Sequence, residues 1–128
     1  MLLLDTHILL WYISADQKLP INMKNAIEHE STDACISIAS IWEVIIKSQI
    51  GKLQLPDSPV AYLREQCKLH NIRLINIVCD ALTKLEQLPA IHRDPFDRVI
   101  LAQSQLDDCQ LLTVDPVMLS YPNINFFR

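Results

Sequence analysis

The chain opens Met1-Leu2-Leu3-Leu4-Asp5-Thr6-His7-Ile8-Leu9-Leu10, with three leucines closed by an acid and a threonine. So short an apolar run reads as a buried strand that hands Asp5 to the start of a helix. Three further segments place a carboxylate at a helix start: Ser40-Ile41-Trp42-Glu43, Asp94-Pro95-Phe96-Asp97-Arg98 and Leu112-Thr113-Val114-Asp115-Pro116. In a parallel sheet flanked by helices, strand ends and helix starts share one edge, where such folds place their sites. The four acids then crowd one rim. Carboxylates a few ångströms apart repel, and a divalent cation is the usual relief.

Strands are expected at 1–4, 34–37, 72–75 and 110–114, with an edge strand at 123–127. Helices are expected at 6–13, from Pro20 to 29, at 39–49 with Gly51 as terminator, at 60–70, at 79–88 and from Pro95 to 106. Strands alternating with helices signal an α/β fold: a three-layer α/β/α domain with a mostly parallel central sheet. The short strands lack an inside–outside alternation, as expected when both sheet faces are covered. With no repeats or linkers, residues 1–128 read as one domain.

Half of the 128 residues are hydrophobic and 20% are charged, the balance of a compact chain with a substantial core. No apolar run approaches the ~18 residues of a membrane span. The first residues lack the basic flank of a signal peptide. Cys35, Cys67, Cys79 and Cys109 are too dispersed for a metal knuckle, and Cys35, Cys67 and Cys79 sit among apolar neighbours as small hydrophobes. Reduced thiols and the cytoplasm follow as the expectation. The net charge of −4 argues against a broad basic nucleic-acid grip but leaves a metal-charged nuclease open. The single glycine, Gly51, rules out the GxGxxG turn and the GxxxxGK phosphate loop.

Each acid also has a purely structural reading. Ser40 to Glu43 fits a capping box, and Glu43 can pair with Lys47 one turn on. Asp94 fits an N-cap before Pro95, Asp97 lies in the first turn of that helix, Asp5 can cap the first helix and Asp115-Pro116 can open a turn. Caps do not require a shared sheet edge, however, and these acids follow strands that do share one. Thr6 and Thr113 stand beside them as candidate braces. An all-oxygen set suits Mg²⁺ or Mn²⁺ rather than zinc. His7 and His92 lie near acids, yet a structural role is the simpler reading for each histidine. Trp11 and Trp42 are expected in the core or an interface. Arg93, Arg98, Lys47 and Lys52 flank the acids as candidate phosphate contacts.

These segments resemble the PIN domain, and within it the VapC-type ribonuclease toxins of toxin–antitoxin pairs. The resemblance runs over nearly the whole chain: Leu3 to Trp11, Ser37 to Glu43 with Lys47 and Gly51-Lys52-Leu53, then His92-Arg93-Asp94-Pro95-Phe96-Asp97-Arg98 with Leu101-Ala102-Gln103, and Leu112 to Asp115. It implies a Mg²⁺- or Mn²⁺-dependent endoribonuclease in which Asp5, Glu43, Asp97 and Asp115 match the acidic quartet. Thr6, Asp94, Arg98 and Thr113 are then auxiliary or substrate-binding candidates. It further implies an RNA substrate, a small antitoxin protein and a homodimer, with no membrane partner. Trp11 to Glu30 is the candidate antitoxin groove, through Ile13, Leu19, Ile21, Met23 and Ile27, unless those residues simply cover the sheet.

Two other classes compete. A structure-specific DNA nuclease would use a similar acidic site, but no inserted arch or basic clamp is visible. A non-catalytic interaction module would keep the acids only as caps. An aspartyl-phosphate enzyme is disfavoured because Asp5-Thr6-His7 lacks a second acid.

Overall fold

A computed structural model describes residues 1–128. Along the chain run β1 (Leu2–Leu4), α1 (Thr6–Ile13), α2 (Ile21–Glu28), β2 (Ala34–Ser37), α3 (Ile38–Gln49), α4 (Pro59–Leu69) and β3 (Arg73–Ile75). After these come α5 (Cys79–Gln87), α6 (Pro95–Leu106), β4 (Gln110–Leu112) and α7 (Pro116–Leu119). The four strands form one parallel sheet in the order β3-β2-β1-β4.

The sheet divides its leucines between two covered faces. Leu2 and Leu4 point into a cluster with Ile8, Leu9, Met23, Val44 and Leu63, supplied by α1 to α4. Leu3 points the other way, to Ile100, Leu101, Leu111 and Met118 beneath α6 and α7. Burial on both sides explains why the strands look uniformly apolar. Each fully buried leucine here contributes roughly 1.5–3 kcal/mol of burial free energy. Gly51 ends α3 as expected: it adopts φ +77°, and the Lys52 amide beyond it returns to Lys47 O at 2.9 Å.

Several expectations need correction. The predicted edge strand at 123–127 reduces to one parallel bridge between Leu111 and Phe126. Pro122 and the left-handed Asn123 (φ +61°) precede it and leave no room for a longer ladder. β4 stops at Leu112 rather than 114, because the chain turns at Thr113. A further short helix, α7, starts where only a turn opener was expected. Cys79 is exposed, whereas Cys35, Cys67 and Cys109 are buried; burial pushes their thiols up to about 12, 11 and 11. They pack as small apolar groups, and all four cysteines are free. No helix is long and apolar enough to cross a membrane.

Candidate active site

The strand order reverses at β1: the chain moves from β1 to β2 on one side and later returns to β4 on the other. The crevice beyond the carboxyl ends of these strands is the switch point of the sheet. Asp5 enters it directly from β1, extended as the N-cap of α1. Its Oδ1 accepts the Thr6 amide at 2.7 Å and its Oδ2 accepts the Thr113 hydroxyl at 2.8 Å. Thr113 follows β4, so this bond ties two neighbouring strand ends together. The same hydroxyl accepts the Asp115 amide at 3.1 Å and shapes the turn that presents Asp115. Thr6 braces a different pair of elements, donating to Ser40 Oγ at 2.8 Å between α1 and α3.

Glu43 comes from the second turn of α3. The expected Ser40–Glu43 capping box does not form, because the helix begins earlier. Ser37 is the N-cap, and its Oγ accepts the Ala39 amide at 3.0 Å. Glu43 is therefore free of cap duty. Its Oε2 takes the Lys47 ammonium at 2.6 Å, as the i,i+4 spacing predicted. Its Oε1 is buried without any hydrogen-bond partner. An orphaned carboxylate oxygen is costly, and native structures rarely tolerate one without a reason.

Asp94 caps α6, its Oδ1 accepting the amides of Phe96 at 2.8 Å and Asp97 at 3.4 Å. That cap sets the first turn so that Asp97, nearly buried, joins the rim. Burial, then the like charges of Asp5, Asp94 and Glu43, push the Asp97 carboxyl up to about 7, against the pull of His92. Burial also raises Asp5, opposed by the Thr113 hydrogen bond, by His7 and by the Thr6 amide, with Glu43 adding repulsion. Asp5, Glu43 and Asp97 thus sense one another, and Asp115 reaches Asp97 through an imidazole.

That imidazole is His92, for which the sequence alone favours a structural role. Its Nε2 lies 2.9 Å from Asp97 Oδ2 and 3.0 Å from Asp115 Oδ2. Together they offer three ligand-type atoms within 4.8 Å of one another. The motif His92-Arg93-Asp94-Pro95 places the imidazole just before the α6 cap, but its contact with Asp115 comes from packing rather than from local sequence.

Other candidates fall elsewhere. Arg98 is occupied, its Nη1 donating to Pro89 O at 2.9 Å and to Tyr121 Oη at 3.2 Å. Arg93 and Lys52 are exposed and line a shallow cleft of ≈ 360 Å³ with Glu43 and Asp94. Trp42 is not in the core: it is 58% exposed and meets Phe96 edge-on at 5.0 Å. Leu19, Met23 and Ile27 are buried in the first core cluster, so they cover the sheet, while Ile21 is left exposed.

The residues present fit a divalent cation. Asp5, Glu43 and Asp97 are hard oxygen donors that repel one another across the rim, Asp115 joins Asp97 through His92, and Glu43 Oε1 has nothing to bind. A Mg²⁺ or Mn²⁺ ion would satisfy both conditions.

A parallel α/β sheet with carboxylates packed at its switch point defines the class: acid-centred α/β domains. Residues 2–123 match the PIN domain family, and the chain belongs to it. It is 25% identical over 120 residues to Ribonuclease VapC22 of Mycobacterium tuberculosis, covering 93% of this chain and 90% of that protein. Among solved structures it is similar to VapBC2 from Rickettsia felis bound to a promoter DNA fragment, with a TM-score of 0.72 and 14% identity over 98% of this chain and 96% of that one. A toxin–antitoxin complex from Klebsiella pneumoniae aligns at TM-score 0.66 and 22% identity, over 100% of this chain and 97% of that one.

Proposed function

We propose that this protein is the endoribonuclease toxin of a VapBC-type toxin–antitoxin pair, cutting RNA phosphodiester bonds with Mg²⁺ or Mn²⁺. The observation that carries the reading is the unpartnered, buried Glu43 Oε1 in a rim it shares with Asp5 and Asp97. Stability alone does not favour such an arrangement. Likeness to a named ribonuclease and to toxin–antitoxin complexes supports the choice of substrate and partner.

Asp5, Glu43, Asp97 and Asp115 would hold the ion. When bound, it supplies the charge that activates a water and offsets the negative charge of the phosphate. Thr113 fixes Asp5 and the Asp115 turn, while Lys47 neutralises one oxygen of Glu43 and so is not free for phosphate. Arg93 and Lys52, exposed beside the rim, are the cations left to meet the RNA backbone. Asp94 acts through the α6 cap rather than on substrate, and Arg98 acts through Tyr121.

We assign residues 1–128 to one domain working in the cytoplasm, consistent with four free thiols. The antitoxin would lie along α1, where Trp11 and Ile13 line clefts on either side of the helix, with Ile21 on the α2 side. A second copy would cover the outer stripe of α3, where Trp42, Ile46 and Ile50 are exposed at a four-residue spacing. Asp33 and Arg73 lie at the opposite edge of the sheet and take no part.

The test is incubation of the antitoxin-free protein with total RNA and Mn²⁺, beside Asp5→Asn, a chelator and a DNA control. Discrete RNA fragments bearing 5′-phosphate and 3′-hydroxyl ends, lost with the variant and the chelator, are expected. A 2′,3′-cyclic phosphate end would show that the RNA's own hydroxyl attacks and would sink the water mechanism. Cleavage confined to DNA would replace the substrate class. Neither cleavage nor Mn²⁺ binding would favour an interaction module.

A further inference from the structure

We infer that His92 is a positioning residue of the site: its Nε2, bonded to Asp115 and set beside Asp97, holds the two carboxylates as a cation-ready pair before the ion arrives. The inference rests on the metal reading above and goes beyond the four acids.

Three features of the ring carry it. The Asp94 amide donates to Nδ1 at 3.2 Å, and a ring nitrogen that accepts carries no proton. The proton therefore sits on Nε2, the atom that hydrogen-bonds Asp115 Oδ2 at 3.0 Å and lies 2.9 Å from Asp97 Oδ2. Second, the backbone beneath the ring is anchored. The His92 amide donates to Tyr121 Oη at 2.7 Å, and Arg98 Nη1 donates to the same oxygen at 3.2 Å while also holding Pro89 O. Arg98 belongs to α6, so the loop is fixed to the helix that carries Asp97. Third, the two carboxylates come from different elements, Asp97 from α6 and Asp115 from the end of β4. Like charges on separate elements drift apart unless something stands between them.

The ring is set up as a donor rather than a metal ligand. A ligating histidine presents a bare nitrogen and donates through the other one. Here the other nitrogen already accepts a backbone N–H. His92 therefore supports the acids from beside the ion's place.

The test compares wild type, His92→Ala and His92→Gln by Mn²⁺ titration calorimetry, with circular dichroism to establish folding. Gln can extend an amide N–H toward the position of Nε2. His92→Ala is expected to bind Mn²⁺ about 10- to 100-fold more weakly, in line with the loss of other supporting partners in metal sites. His92→Gln should recover to within about threefold of wild type, since it restores the donor. Ring ¹⁵N shifts of the metal-free wild type should report Nε2–H, and the spectrum of bound Mn²⁺ should lack coupling to a directly bonded imidazole nitrogen.

Unchanged affinity in His92→Ala, or His92→Gln no better than His92→Ala, would overturn the positioning role while leaving the metal reading intact. Direct imidazole coupling, or a metal-free Nδ1–H ring, would likewise overturn it by making His92 a ligand or a different donor. A wild type that takes up no Mn²⁺ would fail the metal reading and this inference together, even though the NMR result could still show the tautomer.

Discussion

Asp33 and Asp97 are the same residue type at opposite edges of one sheet, and their surroundings differ in every respect. Asp33 precedes β2 on the surface, where the fork of Arg73 meets it: Nη2 to Oδ2 at 3.0 Å and Nε to Oδ1 at 3.3 Å. That guanidinium holds Asp33 below the usual carboxylate range. Asp97 is buried among acids and is held far above it. The first acid is satisfied by the fold; the second is made uncomfortable by it. Within the chain only the His92 imidazole offsets those neighbouring acids, which makes Asp97 a candidate for a ligand from outside it.

Removing the discomfort should remove the activity. Asp5→Asn is expected to lower metal-dependent RNA cleavage by more than about 100-fold in single-turnover assays, with its circular dichroism unchanged. A collapse of the fold instead would make Asp5 chiefly the cap of α1. Next in size, Mn²⁺ at about 100 times its dissociation constant should stabilise the wild type by about 2.7 kcal/mol. That corresponds to a melting shift of roughly 10 °C for a chain of this size. The Asp33 edge contributes nothing to that shift, so Asp33→Asn should retain all of it.

A smaller effect concerns pH in the absence of metal. Asp97 binds its proton more tightly folded than unfolded, so it favours folding below its ordinary 3.8 and that contribution is lost as pH rises through about 7. Asp97→Asn should therefore melt higher than wild type in EDTA at pH 8, and the gap should narrow at pH 5. An equal gap at both values would mean that Asp97 is not the group responsible. Smallest of all is Arg73→Ala. The exposed pair has the opposite sign, stabilising above the unfolded carboxylate range and fading as pH falls through the lowered Asp33 value. Its loss should cost about 0–1 kcal/mol, less in high salt, by chemical denaturation.

The sequence was informative where local rules and tertiary structure agree. Leu2–Leu4, Ala34–Ser37 and the proline-started α6 fall within a residue of expectation, because short apolar runs and Asp-Pro caps have few alternatives. The capping box at Ser40 failed because Ser37, three residues earlier, is an equally good cap and local pattern cannot rank them. Cys79 misled for a related reason: apolar neighbours give no direction, and a helix turns some of its residues outward, as it also turns Trp42. His92 was hidden differently. Its role depends on Asp115, 23 residues away, and on Tyr121, 29 residues away. No window of sequence contains that triangle. The acids themselves were legible, but which was cap and which was orphan depended on packing.

The Asp5–Thr113 hydrogen bond joins residues 108 positions apart in sequence. Ribosomes make and release the amino end first, and domains fold as their elements become available. A nascent chain carries Asp5 and Glu43 early, but its rim has neither Asp97, Asp115 nor the β4 neighbour of β1 until most of the 128 residues have been translated. Closure of so long-range a pairing is slow compared with local helix formation. The rim is thus complete only when the last strand of the sheet has joined β1, and a chain that stops short of Thr113 lacks both the brace on Asp5 and the carboxylate of Asp115.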